Sequence, residues 1–408
     1  MISRTIEPVL KNLVAKYPVV TITGPRQSGK TTLCRMAFPE MPYENLEIPD
    51  IRQYALDDPR GFLNRYQTGV ILDEIQRAPH LLSYIQGIVD EKQGAGLFIL
   101  TGSQQFEVLN TISQSLAGRT ALLRLLPLSL AEIQVENTPA AIDRLILSGF
   151  YPRIHAQHLD FTQAMGDYVA TYVERDIRQL VAIKDLSLFE KFLKLCAGRT
   201  GQILNMQRLA NDVGVSHTTV RAWISLLEAG YIVFLLPPWF RNISKRLIKS
   251  PKLYFYDVGV ASYLLGLENE RHVSRDPLRG HLFENIAVIE ALKYRFNQGR
   301  RSNLSFYRDS SGNEVDLMIE TGPDLFPVEI KAAETLTTGL WKGLKNLAKT
   351  LPELPLGGGL IYGGDKIQNR GNIRIYPLTQ IHALLASLAK EECLPAFLSE
   401  PSGGQHGS

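Results

Sequence analysis

Cysteine is scarce in this chain: 408 residues contain three, Cys34, Cys196 and Cys393, far apart and without a C-x-x-C spacing. That excludes a disulfide framework and a cysteine-based zinc site, and it makes a reducing cytoplasm the expected compartment. Long apolar runs are also missing. No segment offers eighteen uninterrupted apolar residues, and Met1-Ile2-Ser3-Arg4-Thr5-Ile6-Glu7 has no apolar signal core, so neither secretion nor a membrane span is predicted. A large charge of one sign is absent too. With a net charge of +3, nucleic-acid binding would have to come from a local patch rather than from the whole molecule. There is no internal repeat. What the chain does have is an ordinary globular composition, 45% hydrophobic and 21% charged, and enough length for roughly two or three compact domains.

The pattern divides into three parts and a tail. Residues 1–148 carry short apolar runs, Val19-Val20-Thr21-Ile22, Val70-Ile71-Leu72 and Leu97-Phe98-Ile99-Leu100, each followed by a polar or glycine-containing turn. Uniformly apolar strands are what a parallel sheet covered by helices on both faces requires, so this part is α/β. Residues 149–275 are mainly helical. Within them Leu209 to Arg221 has a helix, a turn at Gly214 and a second helix, with Ser216 as its N-cap. The β-rich runs Gly230–Phe234 and Leu253–Tyr256 that follow could form a wing. Residues 276–390 open with a helix, Gly280 to Phe296, and continue with strand-like runs at 304–307, 315–319 and 326–330, a second, small α/β domain. Residues 391–408 end in a glycine-rich polar stretch expected to fray.

The strongest chemical signal follows the first strand. Gly24-Pro25-Arg26-Gln27-Ser28-Gly29-Lys30-Thr31 has the G-x-x-x-x-G-K-T spacing of a phosphate-binding loop, and Thr32 onward can begin a helix. Its backbone N–H groups and the helix amino terminus would cradle the phosphates of ATP. Lys30 would reach the β- and γ-phosphates, and Thr31 would hold Mg2+. The later strand Val70-Ile71-Leu72 delivers Asp73, a second Mg2+ ligand, and Glu74, which would polarise the attacking water. The third strand ends in Thr101-Gly102-Ser103-Gln104, whose tip is expected between the other two, where Ser103 or Gln104 could sense the γ-phosphate.

The helix-turn-helix offers Arg208, His217, Thr218 and Arg221 to a DNA groove. Beyond it Arg241, Lys245, Arg246, Lys249 and Lys252 make a basic run interleaved with Trp239, Phe240 and Tyr254, a stripe that could follow a nucleic-acid backbone. The competing reading packs this unit between the other domains as a lid, with its cations merely solvated. In the last part Asp316 lies on one strand and Glu329-Ile330-Lys331 on another, with Glu329 and Lys331 on one face. Asp316 and Glu329 could hold Mg2+, with Lys331 beside the scissile phosphate and Glu284 as a fourth member. This resembles the nuclease fold of restriction endonucleases, known by its D…(D/E)-x-K signature. The alternative is a nuclease-like domain in which Glu329 and Lys331 simply pair.

Nearly the whole chain, residues 1 to about 390, resembles a family of bacterial and archaeal AAA-plus-like ATPases that carry a carboxy-terminal domain of uncharacterised function. The stretches that carry the resemblance are Gly24 to Thr31, Leu72-Asp73-Glu74-Ile75-Gln76, Leu100-Thr101-Gly102-Ser103, Leu116-Ala117-Gly118-Arg119 and Pro127-Leu128-Ser129-Leu130-Ala131-Glu132. Ser250 to Gly259 and Gly280-His281-Leu282-Phe283-Glu284-Asn285 extend it. The resemblance implies an AAA-plus ATPase, a homo-oligomeric ring and an arginine supplied in trans. Arg119 is the candidate, with Arg124 and Arg153 as rivals. The chain departs from the pattern at Gln27, where many such loops have glycine, and at Ser103, where asparagine is common. The functional expectation is an ATP- and Mg2+-dependent ATPase acting on DNA, branched or broken. The alternatives are a nucleotide-gated protein-binding switch and an ATP-regulated, Mg2+-dependent DNA nuclease.

Overall fold

The computed structural model describes residues 2–92, 94–103, 115–133, 139–172, 185–240, 249–322, 324–352 and 357–392. Cys393 and the tail expected to fray lie outside them. Five strands, β1 (Val19–Thr23), β2 (Tyr43–Asn45), β3 (Val70–Asp73), β4 (Phe98–Gly102) and β5 (Thr120–Arg124), form one parallel sheet in the order β2-β3-β4-β1-β5. The three central strands are buried along their whole length. Their alternation divides the core. Val19, Val70, Leu72, Phe98 and Leu100 pack with Leu82 and Ile85 of the helix Leu81–Lys92 on one face. Val20, Ile22, Ile71 and Ile99 pack with Ile6, Leu10 and Leu33 on the other. The edges are different: β2 is only half-buried and shows no apolar run in the sequence, and β5 holds Ala121-Leu122-Leu123 with Leu122 49% exposed. The tip of β4 does lie between β3 and β1, as the order of motifs suggested.

The middle part contains the helices Leu186–Ala197, Met206–Val213 and His217–Ala229. Gly214 turns the chain between the last two with φ +94°, and Ser216 Oγ accepts the Thr219 amide at 3.0 Å, the expected N-cap. Strands β6 (Gln202–Ile203), β7 (Val233–Leu236) and β8 (Lys252–Phe255) form an antiparallel sheet in the order β6-β8-β7.

The two runs expected to form a wing pair with each other, but they do not project. Every residue of β8 is buried, and the Asn285 side chain clasps Phe255 through its N–H (2.8 Å) and its carbonyl (2.9 Å). The apolar character of Leu253–Tyr256 is explained by this position under the helix Arg279–Asn297 rather than by a solvent-facing hairpin. Lys252, assigned from the sequence to a DNA-facing stripe, is 1% exposed.

The last part is a mixed six-stranded sheet, β9 (Leu304–Arg308), β10 (Glu314–Thr321), β11 (Asp324–Lys331), β12 (Gly358–Tyr362), β13 (Gln368–Arg370) and β14 (Ile373–Pro377), in the order β13-β14-β12-β11-β10-β9. The helix Arg279–Asn297 is buried on nearly all sides. It joins this sheet to the rest of the protein: the buried Glu290 carboxylate accepts the Leu130 amide at 2.8 Å, and Lys293 donates to Leu128 O at 2.7 Å and to Glu290 at 2.8 Å. Among the described residues no helix is long and apolar enough to cross a membrane.

Candidate nucleotide site and the clusters around it

The loop after β1 begins at a position only glycine can fill. Gly24 has φ +154°, and a Cβ there would lie 2.1 Å from the carbonyl oxygen of Leu125. Gly29 ends the loop, and Lys30–Ala37 continues as a helix whose first amides point toward the loop. Lys30 is buried, and its ammonium donates to Gly24 O and Pro25 O, both at 2.9 Å. Burial lowers its pKa, and the charges of Glu74 and Asp73 oppose that shift. Arg26 pairs with Glu47 at 2.8 Å. Gln27 has φ 62°, a left-handed conformation that accounts physically for glycine in other loops of this kind.

Asp73, at the carboxyl end of β3, accepts from Thr31 Oγ1 (2.8 Å) and Tyr43 OH (2.7 Å), and also from the Thr101 hydroxyl. A serine-type hydroxyl and a carboxylate side by side are hard oxygen donors, which fit Mg2+. Glu74 follows with φ 56° and ψ 49°, an uncommon backbone state for a non-glycine residue. Its carboxylate accepts from Ser103 Oγ at 3.1 Å and from the Gln76 amide. Gly29, Lys30, Thr31, Thr32 and Glu74 line a cavity of about 490 Å³ together with Ile2, Arg4, Met36, Pro152 and Arg153. Beneath the loop, burial pushes the Cys34 thiol up to about 12, so it stays protonated.

Several residues of this centre have contacts that the sequence does not show. Arg4 reaches Ser28 O (2.6 Å) and Leu126 O (2.7 Å) and pairs with Glu132 (3.2 Å), tying the chain start to the loop. Tyr43, Thr101 and Gln76 touch the two carboxylates from neighbouring elements. Of the three arginines considered for supply in trans, Arg119 makes a two-point pair with Asp90 at 2.6 and 2.9 Å on the surface. Arg124 lies over the Phe296 ring at 5.2 Å, and Arg153 faces the cavity of its own chain. Gln104 lies outside the described residues.

In the helix-turn-helix, Arg208, Thr218 and Arg221 are exposed and His217 is half-buried. Lys249 is exposed, while Arg241, Lys245 and Arg246 lie outside the described residues. Two contacts run from this unit to the phosphate loop. Tyr231, buried with φ 56°, shares a 2.8 Å hydrogen bond with Thr23, the residue before Gly24. Tyr172 donates to Gly230 O at 3.1 Å, and the Arg26 guanidinium lies 5.7 Å from the centre of its ring.

The structure brings Asp316, Glu329 and Lys331 together, but not as a cation site. Lys331 Nζ lies 2.6 Å from Asp316 and 2.7 Å from Glu329, and the Ile330 amide donates to Asp316 at 2.8 Å. Glu284 pairs with Lys252 (2.9 Å) and accepts from Tyr254 OH (2.6 Å), and Lys252 also holds Glu314 at 2.6 Å. Among the described residues no three His, Cys, Asp or Glu side chains are grouped to hold a metal ion. Ammonium groups stand where a divalent cation would have to sit, so the donor set as arranged does not fit Mg2+ and no cleavage step is derived from it.

Burial, and then the Asp316 charge, pushes Glu329 up to about 8. A carboxyl whose folded pKa exceeds its unfolded value binds more protons folded than unfolded, so it favours folding at low pH and loses that contribution as pH rises toward 8. Glu329→Gln is therefore expected to flatten the fall in Tm between pH 5 and about 8 relative to wild type, as read by paired thermal melts; parallel curves would show that Glu329 does not titrate there.

A parallel sheet in this order, a glycine-bounded loop closing on a buried lysine, and a Thr–Asp–Glu set at the adjoining strand ends define an AAA-like P-loop ATPase domain. Residues 16–134 match the family model described as an AAA domain; residues 140–271 and 279–381 match two domains of unknown function, DUF8612 and DUF4143. The chain belongs to the family of the uncharacterized proteins Rv2008c of Mycobacterium tuberculosis and Mb2031c of Mycobacterium bovis. Each is 31% identical over 331 residues, 80% of this chain and 73% of the relative. Among solved structures, the Walker-type ATPase PABY2304 of Pyrococcus abyssi aligns over 64% of this chain and 94% of its own, at 14% identity and a TM-score of 0.40.

Proposed function

We propose that the protein binds and hydrolyses ATP and uses the nucleotide state to govern a helix-turn-helix unit that acts on DNA. The observation that carries the ATPase reading is the convergence of Lys30, Thr31, Asp73, Glu74 and Ser103 at the ends of β1, β3 and β4. Thr31 and Asp73 would hold Mg2+, which neutralises charge on the phosphates when bound. Lys30 would leave its loop carbonyls for the phosphate oxygens. Glu74 takes a proton from the attacking water as its oxygen bonds to the γ-phosphorus; the bond from that phosphorus to the bridging oxygen breaks, releasing ADP and phosphate.

The exposed side chains of Arg208, Thr218 and Arg221 support DNA as the partner, branched or broken forms among them. The contacts of Tyr231 and Tyr172 with the loop support control by nucleotide. They serve the second reading equally well, a nucleotide-gated switch that binds protein. The deciding measurement is ATP turnover with and without single-stranded, duplex and four-way-junction DNA. Stimulation by one form supports the DNA reading; turnover indifferent to all of them favours the protein switch.

Tyr231→Phe tests the link itself. It removes one hydroxyl and one hydrogen bond, worth about 1 kcal/mol of stability, and is expected to leave basal turnover within about twofold while abolishing the response to DNA. An undiminished response would place the coupling elsewhere.

A further inference from the structure

We propose that Gln76 is the positioning residue of Glu74, and so sets the rate of the hydrolysis proposed above, on which this inference rests. Gln76 lies in the single turn Ile75–Arg77 that follows Glu74. Its amide nitrogen donates to the Glu74 carboxylate and, at 3.2 Å, to Ser103 Oγ, while Ser103 donates to the same carboxylate oxygen at 3.1 Å. The three side chains form a closed triangle at the ends of β3 and β4.

Two further observations show that this triangle is built around the carboxylate rather than around packing. The backbone at Glu74 is held at φ 56°, a conformation that costs a non-glycine residue free energy and persists only where its surroundings enforce it. The other end of the Gln76 amide, Oε1, is buried and has no hydrogen-bond partner. A residue serving packing alone would not bury an unsatisfied carbonyl at a cost of about 1–3 kcal/mol. The amide keeps that orientation because its N–H group is directed at Glu74.

The held orientation is the productive one. Glu74 lines the nucleotide cavity with Lys30 and Thr31, and its charge is the largest of those supporting the Lys30 ammonium. A free glutamate has three side-chain torsions to place; with its carboxylate fixed by two donors, Glu74 keeps one oxygen free for water. Ser103 cannot do this alone, because its hydroxyl can rotate toward either neighbour, whereas the planar amide of Gln76 points one way.

The test uses the full-length chain with Gln76→Leu and the near-isosteric Gln76→Glu, measuring kcat, KM for ATP and fluorescent-nucleotide affinity. The expected result for Gln76→Leu is a fall in kcat of roughly 10- to 100-fold with KM and nucleotide affinity within about twofold. Gln76→Glu keeps the size of the side chain but replaces the donating N–H group by a carboxylate, so kcat is expected to fall by a similar factor, again with KM and nucleotide affinity within about twofold. Thermal melts confirm that each variant is folded, and the second variant keeps the test decisive if the first is not. Wild-type turnover with an unchanged kcat in the variants, or an equal loss of affinity and kcat, overturns the role of Gln76 alone. Nucleotide binding without turnover in the wild type overturns the ATPase reading and this inference with it.

Discussion

Glu74→Gln is expected to leave ATP binding intact and to lower turnover by about two to four orders of magnitude. The substitution keeps the size of the side chain and its capacity to accept from Ser103, but an amide cannot take a proton from water at neutral pH. The hydrogen bonds of the phosphate loop do not involve Glu74: Lys30 keeps Gly24 O and Pro25 O, and Asp73 keeps Thr31 and Tyr43. Binding and chemistry should therefore separate, with nucleotide affinity within a few-fold of wild type. Phosphate release at saturating ATP, beside fluorescent-nucleotide titration, makes the comparison. A variant that turned over at more than about half the wild-type rate would remove Glu74 from the role of general base. One that lost binding as well would make it part of the loop's support.

The second large effect lies far from the nucleotide. Lys252→Met is expected to destabilise the fold by about 3–5 kcal/mol, seen as a lower denaturation midpoint in urea. Lys252 is 1% exposed, and its ammonium pairs with Glu284 at 2.9 Å and Glu314 at 2.6 Å. Burial alone would discharge it, but the charges of Glu284, Asp316 and Glu314 more than offset that and hold its pKa above the ordinary value. Removing the cation leaves Glu284 buried without its main counter-charge. Adding Glu284→Gln to the same variant should restore part of the loss, because the orphaned charge is then gone. A single-variant loss below about 1 kcal/mol would mean that water reaches these carboxylates and that the pairing is a surface one.

The nucleotide centre was legible because its chemistry is written in short, contiguous stretches. A loop that turns on Gly24 and Gly29 and a strand that ends in Asp73-Glu74 each carry position and function together. The supporting contacts were less legible: Thr101 and Gln76 lie within the stretches that carry the family resemblance, but only the fold shows what they hold, and Tyr43 reaches Asp73 from a neighbouring strand. Lys252 shows the same limit from the other side. In sequence it closes a basic run, and only the apolar residues that follow it, Leu253, Tyr254 and Phe255, hint that the strand is interior. Asp316 and Glu329 lie together around Lys331, and Glu284 lies on Lys252, so it is their partners that decide the chemistry of these carboxylates. Edge strand β2 has no apolar run for a simpler reason, because a half-exposed strand needs none.

Four non-glycine residues in the described structure have left-handed backbones, Gln27, Glu74, His158 and Tyr231. Gln27 and Glu74 line the nucleotide cavity, His158 caps the helix Pro152–Gln157 on its rim, and Tyr231 holds the residue that leads into the loop. Each such conformation costs about 1 kcal/mol or more that glycine would relieve. A stability-directed selection applied to this protein would therefore drift toward glycine at Gln27, Glu74 and His158, whose side chains are not buried, but not at Tyr231, where loss of the buried ring costs more than the backbone gains, and it would enrich for folded chains with a slackened centre. Heat tolerance and turnover should prove to be opposing traits in any library built from this sequence.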